Sequence, residues 1–274
     1  TLESVPDSTS DVTIDVLDSA GTLIRSFSTR RPRGADSVSV GRIVRDSLKV
    51  GMNRFVWNMR YRDATTFPGL IMWAGSVTGP LAPPGRYQAR LAALGRSQTQ
   101  AFRIMPDPRL RTTPEDYARQ FDLLVRLRDR LSDANGAVVR IRSLKTQLDQ
   151  VTTRLDSAAG VTGSAGIRAR ADSLKRQLTA IEEQLYQVKN RSGQDPLNYP
   201  IRLNNRIAAL AGVVSSADAR PTDQSITVFN VLSAELQTEL ARLRALLESD
   251  VPAFNALVRN ANVPALVVPE PVIP

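Results

Sequence analysis

Chemistry in this chain would have to come from carboxylates, lysines, tyrosines and the hydroxyls of Ser and Thr, because its 274 residues include no histidine and no cysteine. Without imidazole there is no Ser-His-Asp relay, no histidine base and no histidine metal ligand. Without thiol there is no disulfide, thiolate nucleophile, Cys-zinc site or iron–sulfur cluster. The pairs that remain are wrongly spaced. Glu182 and Glu183 are adjacent, and adjacent helical positions diverge, so they do not share a site for acid–base work. Asp15 and Asp18 flank a turn, and turn chemistry accounts for Asp18. Gly160, Gly163 and Gly166 recur every third residue, but in a Gly/Ser/Ala linker. No Gly-x-Gly-x-x-Gly, Walker, Gly-x-Ser-x-Gly or Ser-x-x-Lys pattern occurs. The expectation is a chain that is not an enzyme and takes no cofactor and no metal.

Charge is the next candidate. The net charge is +9, from 36 basic and 27 acidic residues, and only Lys49, Lys145, Lys175 and Lys189 are lysines. A basic chain can approach anionic lipid headgroups, nucleic acid or an acidic protein. The candidate basic face is Arg126, Arg130 and Arg140, with Arg128 and Arg142 nearby. Their spacing spreads them around a helix, and Asp129 and Asp133 intervene, which reads as a solvated face. Nucleic-acid binding would also want interleaved aromatics, and none are present there.

Apolar extensions are the third. The insert Asp63–Leu81 carries Phe67, Leu70, Ile71, Met72 and Trp73, which could seat in a partner or touch a bilayer interface. The competing reading packs this loop between two parts of the chain itself. The tail 263–274 (VPALVVPEPVIP) has four prolines among Val267, Val268, Val272 and Ile273. It cannot be a helix interior or a central strand. It is expected to be extended, packed along its own helices or docked on a partner.

The elements that must hold these residues fall into two unlike parts. Val12, Ile14 and Val16 alternate with polar residues, Asp18–Gly21 is a turn, and Leu23, Ile24 and Phe27 suit a returning strand. A short strand is expected near Val38–Val44, then strands at Arg54–Tyr61, Tyr87–Leu94 and Thr99–Met105. After Met105-Pro106-Asp107-Pro108 the pattern changes. Thr113 is a good N-cap, with Pro114 at the first helical position and Glu115-Asp116 in the first turn. Apolar residues then recur at steps of three or four from Tyr117 through Phe121, Leu124, Leu127, Leu131, Ala134, Val138, Ile141, Leu144, Leu148 and Val151 to Leu155. Unbroken, that helix is roughly 60 Å long, with Asn135-Gly136 as the point where it could kink. Further stripes run from Ile167 to Val188, Leu203 to Val214 and Ile226 to Leu247. The fold class expected is α+β and multi-domain: an Ig-like antiparallel β-sandwich over 1–108, an antiparallel four-helix bundle over 109–262 and the extended tail over 263–274.

The sheet part resembles the Ig-like module of flagellar hook-cap-type and secretion-associated proteins, through Val12, Ile14, Val16, Asp18 and Gly21, then Gly51, Asn53, Phe55 and Trp57, then Pro84, Gly85 and Tyr87. The two parts together resemble the C-terminal region of bacterial exported sortilin-like, BNR-repeat "glycosyl hydrolase" proteins. The matching residues are Asn53–Tyr61, Phe67–Gly69, Trp73–Gly75, Pro83–Tyr87, Asp107–Arg109, Asn198–Asn205 and Ala219–Thr222. No Asp-box of the family's propeller occurs, so its hydrolase label does not carry over. The resemblance implies an exported, non-catalytic unit. A narrower resemblance is to extrinsic accessory polypeptides of the reaction-centre–antenna photosystem of phototrophic Gemmatimonadetes.

No stretch approaches 18 consecutive apolar residues, so no membrane span is expected. The first residue is Thr1, and the expectation is a processed or partly resolved product, with an export signal, anchor or domain upstream. The leading functional expectation is an extracytoplasmic, membrane-extrinsic structural protein. Its partners are other protein subunits of a larger assembly, with contact to a membrane surface but no span, and not nucleic acid. The alternatives are a carbohydrate-binding accessory module of a propeller-type hydrolase, stacking sugars on Trp57 and Trp73, and a nucleic-acid-binding basic protein.

Overall fold

The computed structural model describes residues 2, 4–5, 7, 10–30, 40–44, 47–157 and 163–261. The protein is mixed α+β: a five-stranded sheet is followed by helices. The strands are β1 (Thr13–Asp18), β2 (Leu23–Ser28), β3 (Val40–Arg42), β4 (Gly85–Ala93) and β5 (Arg96–Ile104), in spatial order β3-β2-β1-β4-β5. The β1–β2 turn forms as its residues dictate: the Asp18 carboxylate accepts from the Ala20 and Thr22 amides at 2.9 and 2.8 Å, and Gly21 takes φ +85°. Leu94 and Gly95, at φ 52° and 72°, make the two-residue β4–β5 turn, the left-handed pair whose twist matches a hairpin. All contacts in the sheet are antiparallel except β2 with β3, which is parallel.

Residues 54–58, expected within a strand, lie on the sheet without joining a ladder. Trp57 packs on Tyr87 and Phe102, each ring centroid 6.3 Å away. Its indole N–H donates to the Arg60 carbonyl at 3.0 Å. Where a sandwich would place a second sheet, the described chain instead runs as an irregular antiparallel ribbon, 59–64 against 77–82. Ala82 N–H donates to Met59 O at 2.7 Å, Tyr61 N–H to Pro80 O at 2.9 Å and Ala64 N–H to Val77 O at 2.7 Å. A regular ladder cannot continue there because Pro80 has no N–H to donate. Gly79 also lies so close that a Cβ would sit 2.3 Å from the Tyr61 and Arg62 carbonyl oxygens.

The helices are α1 (Pro114–Ser157), α2 (Ser164–Leu185), α3 (Leu203–Val214), α4 (Asp223–Ala245) and α5 (Val251–Asn260), with a 3₁₀ turn at Asp195–Leu197. Thr113 caps α1 reciprocally with Asp116: the Asp116 amide donates to Thr113 Oγ1 at 3.2 Å, and Thr113 Oγ1 donates back to the carboxylate at 2.7 Å. At 44 residues α1 is about 66 Å long. It runs unbroken through Asn135-Gly136. The expected stripe is its core: every member from Leu127 to Leu155 is buried. A π turn at Leu246–Asp250 joins α4 to α5. It lets the chain pass Pro252, whose ring would clash with the carbonyl four residues back and which has no N–H to give it.

The four expected stripes do not make four columns. Lys175 pairs with Asp149, and Arg142 and Lys145 with Glu182, so α2 runs antiparallel along the C-terminal half of α1. Asn204 meets Asn135 and Gln120 meets the Val214 carbonyl, so α3 runs antiparallel along the N-terminal half. Arg206–Glu235 places α4 beside α3, and Arg170–Asp250 places the turn that leads from α4 into α5 beside α2. The bundle is therefore three rods in cross-section: α1, then α2 and α3 end to end, then α4 with α5. Two stripes of 22 and 12 residues share one long partner, and that is why four segments fill three columns.

Candidate functional site

The insert is the tip of the ribbon, and the structure lays it on the helices. Ala64 and Phe67 belong to the same buried cluster as the bundle's leucines, and Leu70, Met72 and Val77 pack against it. Phe67 is 5% exposed. Its ring meets Tyr186 edge-on at 5.1 Å, and the Arg142 guanidinium lies 4.7 Å above Phe67 and 5.3 Å from Tyr186. Arg142 and Lys145 both reach the buried Glu182 carboxylate, at 2.7 and 3.1 Å. One acidic residue on α2 thus holds two cations of α1, and one of those cations covers the anchor ring.

Polar side chains complete the joint by binding the insert's backbone. Asn135, 0% exposed in mid-α1, donates to Thr65 O at 2.6 Å and accepts from Asn204 at 3.1 Å. Ser132 Oγ accepts from the Thr65 amide at 3.1 Å. The Tyr186 hydroxyl donates to Gly69 O at 3.0 Å and accepts from the Ile71 amide at 3.3 Å. Asn205 grips one residue at both ends: its Oδ1 accepts from Trp73 N–H and its Nδ2 donates to Trp73 O, each at 2.7 Å. The close approach needs Gly75, where a Cβ would come within 2.9 Å of the Ala208 Cβ. These amides satisfy backbone groups that a buried irregular loop would otherwise leave unpaired, which costs free energy.

Beside the joint, between ribbon, strand exit and bundle, lies an open crevice of about 520 Å³ whose walls include Met59, Leu81, Met105, Tyr117, Phe121 and Ala211. Its lining is mainly apolar. Tyr61 packs at a tilt against Phe121, ring centroids 4.6 Å apart, across the ribbon–helix boundary. Tyr117 donates to the Asp218 carboxylate at 3.4 Å. Desolvation, then that carboxylate, pushes the Tyr117 phenol above its ordinary pKa, so it stays neutral and serves as a donor rather than a base. Gln120 is spent on the Val214 and Ala217 carbonyls, at 2.7 and 2.6 Å. Among the described residues no cluster of acidic side chains could hold a metal ion.

The predicted contact residues are thus divided. Phe67 is taken off the surface by the chain's own core, and Leu70, Ile71 and Met72 are half-buried. Trp73 is 42% exposed. Val267, Val268, Val272 and Ile273 lie outside the described residues. Arg126, Arg130 and Arg140 do not act together: Arg126 stacks on Phe229 at 4.5 Å, Arg130 pairs with Asp133 at 3.2 Å, and burial lowers the pKa of Arg140, whose Nε has no partner. Trp57 is turned into the sheet, so it offers no stacking face paired with Trp73. Sequence reasoning assigned no fastening role to Asn135, Glu182, Asn204 or Asn205, which it noted for other reasons, and did not single out Gln120 or Tyr186. The available signal was a polar residue in register with an apolar stripe: Asn135 sits four after Leu131 and three before Val138.

Among the described residues no helix is long and apolar enough to cross a membrane. No family model, curated protein or solved structure matches the chain.

Proposed function

We propose that the chain is a non-catalytic structural protein, placed outside the cytoplasm and extrinsic to the membrane, that holds other protein subunits in a larger assembly. The sheet with its ribbon serves as an Ig-like module and the helices as a bundle, in the manner of the exported sortilin-like, BNR-repeat C-terminal regions that the motif residues resemble. An assembly of the reaction-centre–antenna kind is one setting that fits. The observation that carries this reading is the joint. Five buried polar side chains are used to fix one loop: Ser132 and Asn135 on α1, Tyr186 just beyond the end of α2, Asn205 on α3, and Asn204, which holds Asn135 in place. These groups hold the sheet's insert against a rod about 66 Å long. Rigid spacing of two surfaces is what a scaffold needs.

The test is purification from the native source without denaturant, followed by mass spectrometry of co-purifying chains. Stoichiometric protein partners are expected. Recovery as a free monomer, or quenching of Trp73 by soluble glycans at low concentration, would contradict the reading.

A further inference from the structure

Strand β5 is the open edge of the sheet. It pairs with β4 across all nine residues, Gly85↔Ile104 to Ala93↔Arg96, without a bulge. Among the described residues no strand pairs with its outer side; there the Ala101 carbonyl accepts only from the side-chain amide of its neighbour Gln100, at 3.3 Å. Arg96–Ala101 are exposed on both faces. Edges of this kind invite another strand, and proteins normally blunt them with prolines, bulges or short length. β5 has none of these; what it carries is positive charge, Arg96 and Arg103, which turns away strands of like charge and leaves the edge open to an acidic one.

The charge on this hairpin is one-sided. Residues 85–104 contain Arg86, Arg90, Arg96 and Arg103 and no Asp or Glu. Arg90 is neutralised by Asp15 at 2.7 Å. Arg86 and Arg103 stand directly opposite each other in the ladder, both exposed, with no carboxylate partner among the described residues. Like charges facing each other across a ladder work mildly against folding, and an anion beside this pair relieves that repulsion. At the same end the strand runs through Ile104 into Met105, which is 66% exposed, and both line the apolar crevice.

We propose that the β5 edge is a strand-addition site for an extended acidic segment of a partner protein, with acidic side chains against Arg86 and Arg103 and an apolar end seated in the crevice beyond Met105. Backbone pairing supplies affinity and the crevice with the arginines supplies choice, as in other sheet-edge recognition. A second copy of this chain is disfavoured as the occupant, because it would bring the same cationic pair to the edge. Nucleic acid is disfavoured because the unpaired groups are those of a peptide ladder, and the nearest aromatics, Phe102, Tyr87 and Trp57, are packed on one another. The inference rests on the scaffold reading and names its contact surface.

The experiment is amide hydrogen exchange of the whole chain with a short synthetic peptide that alternates Glu with Val and ends in two leucines. A second peptide carries Lys in place of Glu. The Glu peptide is expected to slow exchange in 96–104 by roughly tenfold or more, and the Lys peptide is not. In the double variant Arg86→Glu/Arg103→Glu, both exposed sites, affinity for the Glu peptide is expected to fall roughly tenfold and the Lys peptide to gain, since exposed charge pairs act mainly on choice and encounter. Unchanged exchange, equal effects of both peptides, protection by a single-stranded oligonucleotide instead, or concentration-dependent protection without peptide would each overturn the proposal. If native partners stay bound to the double variant, the edge assignment falls and the scaffold reading stands. If the unaltered chain has no partners, the scaffold reading falls and the peptide result still decides the edge.

Discussion

Replacing Asn205 by alanine removes both hydrogen bonds that hold the Trp73 peptide unit, at 2.7 Å each. Asn205 itself is 4% exposed, so the bonds lie at the inner side of the loop. Each such bond contributes about 0.5–1.5 kcal/mol net, and an orphaned buried partner costs about 1–3. Trp73 is half open to water, which rehydrates part of its backbone and moves the total toward the lower end. We expect about 2 kcal/mol. For a chain of this size that is a fall in Tm of about 3–4 °C. Asn205→Asp keeps the acceptor but sets a carboxylate against the Trp73 carbonyl, and is expected to cost at least as much. The assay is denaturant unfolding at constant m-value, with amide exchange over 70–77 to show where the loss falls. A loss below about 0.5 kcal/mol for Asn205→Ala, or a loss without faster exchange in 70–77, would refute the view that this side chain fastens the insert.

Phe67→Ala is expected to cost about 3–5 kcal/mol in the same assay, because it empties a buried site shared with Tyr186 and Arg142; a surface-like cost below about 1 kcal/mol would return Phe67 to the list of partner contacts. Glu182→Gln leaves Arg142 and Lys145 without their anion. Those cations are partly solvated, so screening reduces the penalty to about 1–2 kcal/mol, and added salt is expected to narrow the gap from wild type. Burial raises the Tyr61 and Tyr87 phenols above their ordinary pKa, with lesser help from Asp18 for Tyr61 and from Tyr61 and then Asp18 for Tyr87. A raised folded-state pKa means stability is complete below the unfolded phenol value of about 10 and is lost as pH climbs past it. The denaturant midpoint should therefore fall in alkaline solution, with tyrosinate absorbance appearing together with unfolding, and Tyr87→Phe should flatten the fall.

Much of the helical part was legible because one physical rule generated it. A long stripe at steps of three or four has only one way to be buried, and the Thr113-Pro114 start carries its own cap. The number of columns was not legible, since periodicity says which face is apolar and nothing about whether two short stripes lie end to end. The β1–β2 hairpin was visible in its turn, and the β4–β5 hairpin in its two strands, although β5 starts at Arg96, three residues before the expected Thr99. Residues 54–58 read as strand from Phe55 and Trp57, but those rings pack down on the sheet, and Pro80 and Gly79 prevent a ladder beyond them. The joint was half visible. The insert stood out by composition, while its fasteners are amides scattered over residues 135–205, and no local pattern links Asn135 to Thr65 or Asn205 to Trp73. Asn135-Gly136 looked like a breaking point in α1 because exposed Asn-Gly favours turns; buried and bonded on both sides, Asn135 becomes a fastening point.

The central claim is that the insert welds sheet and bundle into one body. Both tryptophans, Trp57 and Trp73, belong to the sheet-and-insert part, whereas the far-ultraviolet helix signal comes from α1–α5, so the two probes report the two parts separately. Equilibrium unfolding followed by tryptophan fluorescence and by circular dichroism on one sample is the most direct measurement. Coincident transitions with the same midpoint and m-value are the predicted result. A fluorescence transition that finishes while the helices remain folded would contradict the claim.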